Sequence, residues 1–185
     1  MDLLLPEAEY RASTNWDDRP ADIRIDLLVI HSISLPPNEF GGPWIDDLFM
    51  NRLDPEAHPY FRQIEGLRVS SHLLIRRDGE LIQYVPLNRR AWHAGSSNFC
   101  GRECCNDFSI GIELEGSDQS PFTDAQYATL AQATRQIQKH YPAITQDRIT
   151  SHSAIAPGRK TDPGPYFDWP RYLSQLKVTG EDAQS

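Results

Sequence analysis

Along the chain the spacing of apolar positions changes period several times, and each change predicts an element. "IRIDLLVIH", residues 23–31, opens with alternating apolar and polar positions and closes as a continuous apolar run. That pattern predicts a strand buried on both faces and ending on His31. "SSHLLIRRDGELIQYVP", residues 70–86, sets Asp-Gly between two apolar runs and predicts a β-hairpin turning at "RDGE". "SIGIELEG", residues 109–116, alternates again around Gly111 and predicts a further strand. The period then lengthens. In "TDAQYATLAQATRQIQKHY" the residues Tyr127, Leu130, Thr134 and Ile137 recur at helical spacing. Thr123 and Gln126 form a capping-box pair at its start, and Pro142 follows its end. "DRITSH" predicts a short strand ending on His152, and "DWPRYLSQLK" a closing amphipathic helix.

Two long irregular stretches separate these elements. The one after His31 is rich in proline, glycine and aromatics and accommodates one short helix over Trp44–Met50. The other, "RRAWHAGSSNFCGRECCNDF", is polar and contains glycine. Loops this long are uncommon unless they serve function. Residues 1–22, broken by Pro6 and Pro20, read as an N-terminal arm over the surface, 23–177 as the domain, and 178–185 as a frayed tail. The order of elements predicts an α+β architecture, a single central mixed β-sheet flanked by helices.

Composition narrows the class. At 185 residues the chain builds one compact domain with a real core. A net charge of −8 lacks the basic footprint that nucleic acid requires and offers an anionic membrane nothing to attract. "MDLLLPEAEYR" has neither the basic start nor the apolar length of a secretory signal, and no segment approaches a membrane span. Cys100, Cys104 and Cys105 are an odd, clustered set, a poor disulfide framework without a second pair for metal. The expectation is a cytoplasmic protein with reduced thiols, and a monomer, since no apolar stripe is left over.

The candidate chemistry lies in the histidines and carboxylates. His58 in the insert and His140 at a helix C-terminus read as structural or solvated, and His72 as a hydrogen-bonded core residue. His31 and His152 differ, because each leaves a strand end, where ligands gather at the rim of a sheet. Asp162 follows in "GRKTDPGP", a loop stiffened by Pro157, Pro163 and Pro165. Two imidazoles and a carboxylate suit one zinc ion with an open fourth position, the pattern of a catalytic site. Spacing alone leaves open whether the three meet. Glu113 in "GIELEG" is placed to take a proton from water beside such an ion. Lys160 would stabilise an oxyanion on an attacked carbonyl.

At this point the chain resembles a known family, the zinc-dependent N-acetylmuramoyl-L-alanine amidases of type 2, whose fold is peptidoglycan-recognition-like. The matching stretches are "LLVIHSISLPPNEFGGPWIDDLF", "DPEAHPYF", "LRVSSHLLIRRDGELIQYVP", "RAWHAG", "CNDFSIGIELEG", "TDAQYATL" and "RKTDPGPYFDW". They span roughly residues 24 to 172 in the family's order. The resemblance implies His31, His152 and Asp162 as zinc ligands, Glu113 as the acid–base residue and Lys160 as support for the tetrahedral intermediate. It implies that Trp92, His93 and Ala94 line the substrate groove, and that Arg68 meets acidic groups of the peptide.

Two positions depart from the family's pattern. Ser32 stands where asparagine is usual, and Cys104 where arginine is common, with Arg102 close enough to substitute. The implied substrate is a small soluble glycopeptide, an anhydro-muropeptide cut between its muramic acid and L-alanine. The implied role is peptidoglycan recycling in the cytoplasm, with an indirect effect on β-lactamase induction. Two rival readings are a peptidoglycan-binding module without catalysis and a wall-degrading amidase acting on intact murein. Retention of the three ligands, Glu113 and Lys160 weighs against the first.

Overall fold

The computed structural model describes residues 2–177. In chain order its strands are β1 (Glu9–Tyr10), β2 (Trp16–Asp17), β3 (Leu27–Ile33), β4 (Leu73–Ile75), β5 (Leu81–Gln83), β6 (Arg90–Ala91), β7 (Asn98–Phe99), β8 (Arg102–Glu103), β9 (Ser109–Glu115) and β10 (Ile149–Ser151). The helices are α1 (Trp44–Phe49), α2 (Asp124–His140), α3 (His152–Ile155) and α4 (Trp169–Lys177). Six strands form the central mixed sheet in the order β1-β5-β4-β9-β3-β10. Strands β4, β9, β3 and β10 run parallel, while β5 returns antiparallel to β4 through the Asp78-Gly79 turn.

Alternation on the two central strands sorts their side chains. Leu28 and Ile30 of β3, with Ile110, Ile112 and Leu114 of β9, pack beneath Tyr127, Leu130 and Ile137 of α2 and Tyr172 of α4. Burying each such side chain contributes about 1.5–3 kcal/mol relative to leaving it exposed. The opposite face of β3 carries Leu27 and Val29, which pack with Ala94, Cys105, Phe108 and Ile155. His31 continues that face. On β9 the same face reads Ser109, Gly111, Glu113 and Glu115, polar or small at every position. One strand thus supplies a greasy surface to the helices and a polar one to the site.

The caps follow the chemistry of the sequence. Thr123 Oγ1 accepts from the Gln126 N–H, and Gln126 Oε1 accepts from the Thr123 N–H, closing the capping box of α2. On the other face the insert buries Ile45, Leu48, Phe49 and Phe61 against Leu74, Ile82 and Tyr84. Asp46 holds it there, receiving Arg76 at 2.7 Å and Arg11 at 3.0 Å. The main-chain N–H of Gly41 donates to Glu115 at 2.6 Å, so the loop before α1 is tied to the end of β9.

Three expectations change. The strand expected over 23–31 starts at Leu27 and runs past His31 to Ile33, because Ser32 and Ile33 still pair with Leu114 and Glu115. His152 does not end a strand but opens α3, whose N-cap is Ser151 accepting from the Ala154 N–H. The expected surface arm is part of the fold. β1 extends the sheet in parallel with β5, β2 pairs with β6, and Leu5, Ser13 and Asn15 are buried. The expected tail, 178–185, lies outside the described residues. Among the described residues, no helix is long and apolar enough to cross a membrane.

Candidate active site

Parallel register builds the site. His31 on β3 lies directly opposite Glu113 on β9, and Ser151 on β10 lies opposite Ile30. The next residue, His152, therefore reaches the level of His31 from the other side. Asp162 arrives from the proline-stiffened loop, whose carbonyl at Asp162 accepts from the Ser153 N–H at 3.0 Å. Four chemical groups from four segments converge on one rim.

The distances are short. His31 Nδ1 and His152 Nδ1 are 2.9 Å apart, and Asp162 Oδ2 stands 3.2 Å from the first and 3.1 Å from the second. Among the described residues, these three form the one group of histidine, cysteine or carboxylate side chains arranged to hold a metal ion. The cysteines take no part. Cys100 and Cys104 are exposed, Cys105 is buried, and all are free.

Hydrogen bonds behind the rings settle which nitrogens carry protons. The Ser109 hydroxyl donates to the Cys105 carbonyl at 2.5 Å, so its oxygen is left to accept from His93 Nε2 at 3.2 Å. His93 Nδ1 is then an acceptor and receives the Nε2–H of His31 at 2.9 Å. His152 is fixed more simply, its Nε2–H donating to the Ala94 carbonyl at 3.1 Å. With Nε2 as the donor nitrogen of each ring, Nδ1 is the atom that faces the site and can offer a lone pair to a cation. Two lone pairs and a carboxylate oxygen in mutual contact repel one another unless a cation lies between them. The donor set of two neutral imidazoles and one carboxylate is the set zinc takes in catalytic sites. The residues present fit that ion.

Electrostatics point the same way. Burial lowers His31 to about 4, outweighing the attraction of Asp162, so the ring is neutral near pH 7. Glu113 goes in the other direction. Burial first, and the negative Asp162 second, push its carboxyl well above the ordinary carboxylate value, against the opposing pull of Lys160. Glu113 Oε1 is 3.9 Å from His31 Nδ1, and its buried Oε2 has no hydrogen-bond partner. A proton-hungry, unpartnered carboxylate beside the ligand triad is placed to exchange protons with whatever occupies the groove.

That groove has a volume of about 220 Å³, and Glu113, His152, Asp162 and Lys160 line one side of it. Leu35, Tyr60 and Trp92 are among its walls, with Ser32 at its edge. Lys160 is exposed and borders the groove. Trp92 is held by its indole N–H donating to Asp17 and by main-chain bonds to Ser70.

The structure moves several expected substrate contacts. His93 does line the groove, with 8% exposure, and its ring is also committed to His31 and Ser109. Ala94 is fully buried and meets His152 through its carbonyl rather than a ligand. Arg68 is exposed and lines an adjoining pocket that shares Leu48, Ile64 and Leu67 with the groove. Arg102, expected to substitute for the arginine usual at Cys104, already has a partner. It is bound to both oxygens of Asp26 at 2.9 Å and lies over the Phe108 ring.

Sequence reasoning passed over Ser109, Gly111 and Arg159. A Cβ on Gly111 would lie 2.5 Å from the His93 ring, so the glycine in "SIGIE" makes room for that ring. Arg159 donates to the Ala94 carbonyl at 2.6 Å and the Ser96 carbonyl at 2.8 Å, clasping the loop that meets His152. The lone glycine in a strand was the available signal for a close approach.

A two-histidine, one-carboxylate cluster with a protonatable glutamate at the rim of a mixed sheet fits the class of metal-dependent hydrolases. The particular family follows from comparison with known proteins. Residues 21–165 match the family model described as N-acetylmuramoyl-L-alanine amidase, and the chain belongs to that family. It is 62% identical over 175 residues to the 1,6-anhydro-N-acetylmuramyl-L-alanine amidase AmpD of Salmonella typhimurium strain SL1344, covering 95% of this chain and 93% of that one. A crystal structure of a selenomethionine AmpD derivative superposes with a TM-score of 0.91 at 58% identity, covering 95% of this chain and 99% of the other. The amidase AmiD from E. coli, solved with the substrate anhydro-N-acetylmuramic acid-L-Ala-D-γ-Glu-L-Lys, aligns with a TM-score of 0.60 and 31% identity, covering 85% of this chain and 60% of that one.

Proposed function

We propose that this amidase hydrolyses the amide between the lactyl carbonyl of 1,6-anhydro-N-acetylmuramic acid and L-alanine in soluble muropeptides. The observation that carries the reading is the juxtaposition of unpartnered Glu113 Oε2 with the Nδ1-directed triad of His31, His152 and Asp162. These three side chains would hold one zinc ion. Zinc, when bound, supplies Lewis acidity that polarises a carbonyl and brings the pKa of water toward neutrality. Glu113 takes the proton of the attacking water and returns it to the departing alanine nitrogen, a double duty its raised proton affinity suits. The Lys160 ammonium, bordering the same groove, stabilises negative charge growing on the carbonyl oxygen. Tyr60 and Trp92 offer flat apolar walls for the sugar and lactyl groups.

The substrate assignment is supported by the names of the relatives at high identity, and by the anhydro-muropeptide seen in the related AmiD. The enzyme acts as a cytoplasmic monomer in peptidoglycan recycling, with an indirect effect on β-lactamase induction. Free thiols at Cys100, Cys104 and Cys105 accord with a reducing compartment. A direct comparison tests the reading: zinc-loaded protein is given soluble anhydro-muropeptide or insoluble murein, and released peptide is quantified. Preferential release from the soluble substrate is expected. Equal release from intact murein would favour a wall-degrading amidase.

A further inference from the structure

Two loop segments that the groove chemistry leaves unexplained meet behind it. One is Trp92–Gly95, in which the His93 ring receives His31 and the Ala94 carbonyl receives His152. It lies beyond the short β6, and Gly95 has φ +58, so no ladder or helix holds its shape. The other is a single 3₁₀ turn, Cys105–Asp107. From it the Asn106 side chain reaches across, and its Oδ1 accepts the main-chain N–H of His93 at 3.1 Å and of Ala94 at 2.8 Å.

Two successive amides on one side-chain oxygen fix ψ of the residue between them, which is His93. Asn106 is buried, with 7% exposure, so water does not compete for those donors. The turn that carries it is clamped in its own right. The Arg19 guanidinium donates to the carbonyls of Asn106 at 3.0 Å, Asp107 at 2.9 Å and Ser109 at 2.9 Å. The Cys105 carbonyl from the same turn holds the Ser109 hydroxyl that supports His93.

We propose that Asn106 is the positioning residue shared by both metal-ligand histidines. By holding the His93 N–H it fixes the backbone from which the ring that receives the His31 Nε2–H projects. One peptide further on, it places the carbonyl that receives the His152 Nε2–H. Two ligands, one on β3 and one at the start of α3, are thus aimed through one amide side chain. The inference rests on the reading of His31 and His152 as zinc ligands.

Isosteric change separates aiming from mere filling. A carboxylate at position 106 still accepts both N–H groups, whereas alanine leaves two buried donors without a partner. The test compares wild type, Asn106→Asp and Asn106→Ala in zinc competition against a chromogenic chelator. Spectra of the histidine ring nitrogens in the metal-free proteins accompany it. Asn106→Ala is expected to raise the zinc dissociation constant about 10–100-fold, with Asn106→Asp close to wild type. In the metal-free alanine variant the ring signals of His31 and His152 move together, while those of the distant His58 stay.

Unchanged zinc affinity in the alanine variant, or equal loss in both variants, would overturn the proposal. Should the alanine variant not fold, Asn106→Ser takes its place, since a shorter hydroxyl does not span both amides. Failure of wild type to bind zinc would remove the underlying metal reading instead. The ring spectra of the metal-free proteins would still decide whether Asn106 aims the two histidines.

Discussion

His31 and Glu113 are register partners on adjacent parallel strands, with 3.9 Å between His31 Nδ1 and Glu113 Oε1. Main-chain pairing, rather than a flexible loop, therefore sets the separation of the proposed metal ligand and the proposed acid–base group. Catalytic groups held on strands keep their geometry when ligand arrives, which is the condition for efficient proton transfer.

Replacing Glu113 with glutamine keeps the size of the side chain and removes its capacity to carry a proton. Glu113→Gln is expected to lower kcat by about 10²–10⁴-fold while KM and zinc content change little. Steady-state kinetics with metal analysis checks this. Near-normal kcat in a zinc-replete variant would assign proton transfer to another group.

Gly111 tests the support beneath His31. Its missing Cβ leaves the space that the His93 ring fills, at a projected 2.5 Å from the ring carbon. Gly111→Ala should therefore destabilise the protein by about 1–3 kcal/mol and weaken zinc binding, because His93 shifts and carries His31 with it. Thermal unfolding and chelator competition measure the two effects. A variant of normal stability and affinity would show that the ring has room to spare.

His72 makes acid stability predictable. Burial, reinforced by the nearby Arg19 guanidinium, lowers it to about 3, against about 6.5 in an unfolded chain. Its Nδ1 accepts from the Gly111 N–H, and its Nε2 lies 3.0 Å from the Arg89 carbonyl, so the folded state keeps it neutral. Below the unfolded value the unfolded chain binds the extra proton, and stability falls as pH drops from about 6.5 toward 3. The accumulated loss is on the order of a few kcal/mol. Urea unfolding at intervals from pH 7 to 4 should show a shallower slope in His72→Gln. Identical slopes would mean that His72 titrates alike in both states.

Much of this arrangement could be read from the residues. Alternation in "SIGIELEG" put Glu113 and Glu115 on one face, and His31 and His152 were singled out as rim residues although β3 runs on to Ile33 and His152 opens α3. The capping box at Thr123 and Gln126 located the start of α2 to the residue. What escaped is non-local. Glu9–Tyr10 is an exposed two-residue strand with no apolar pattern, and only its pairing with β5 makes it part of the sheet.

The inner support of the histidines escaped for the same reason. Asn106 and Ser109 are ordinary polar residues until the fold carries "WHAG" onto "CND". His93 lines the groove beside Trp92, and its second duty behind His31 has no signature in the sequence. Arg102 looked free because Asp26, its partner across 76 positions, has no sequence signature of pairing.

The proposed reaction is a zinc-dependent amide cleavage at the His31–His152–Asp162 centre. It is tested most directly by mass spectrometry of anhydro-muropeptide incubated with metal-stripped protein, before and after one equivalent of zinc. Wild type should release free peptide and anhydro-sugar only with zinc, and Asp162→Ala should release neither. Cleavage by the stripped protein, or undiminished cleavage by Asp162→Ala, would contradict the account.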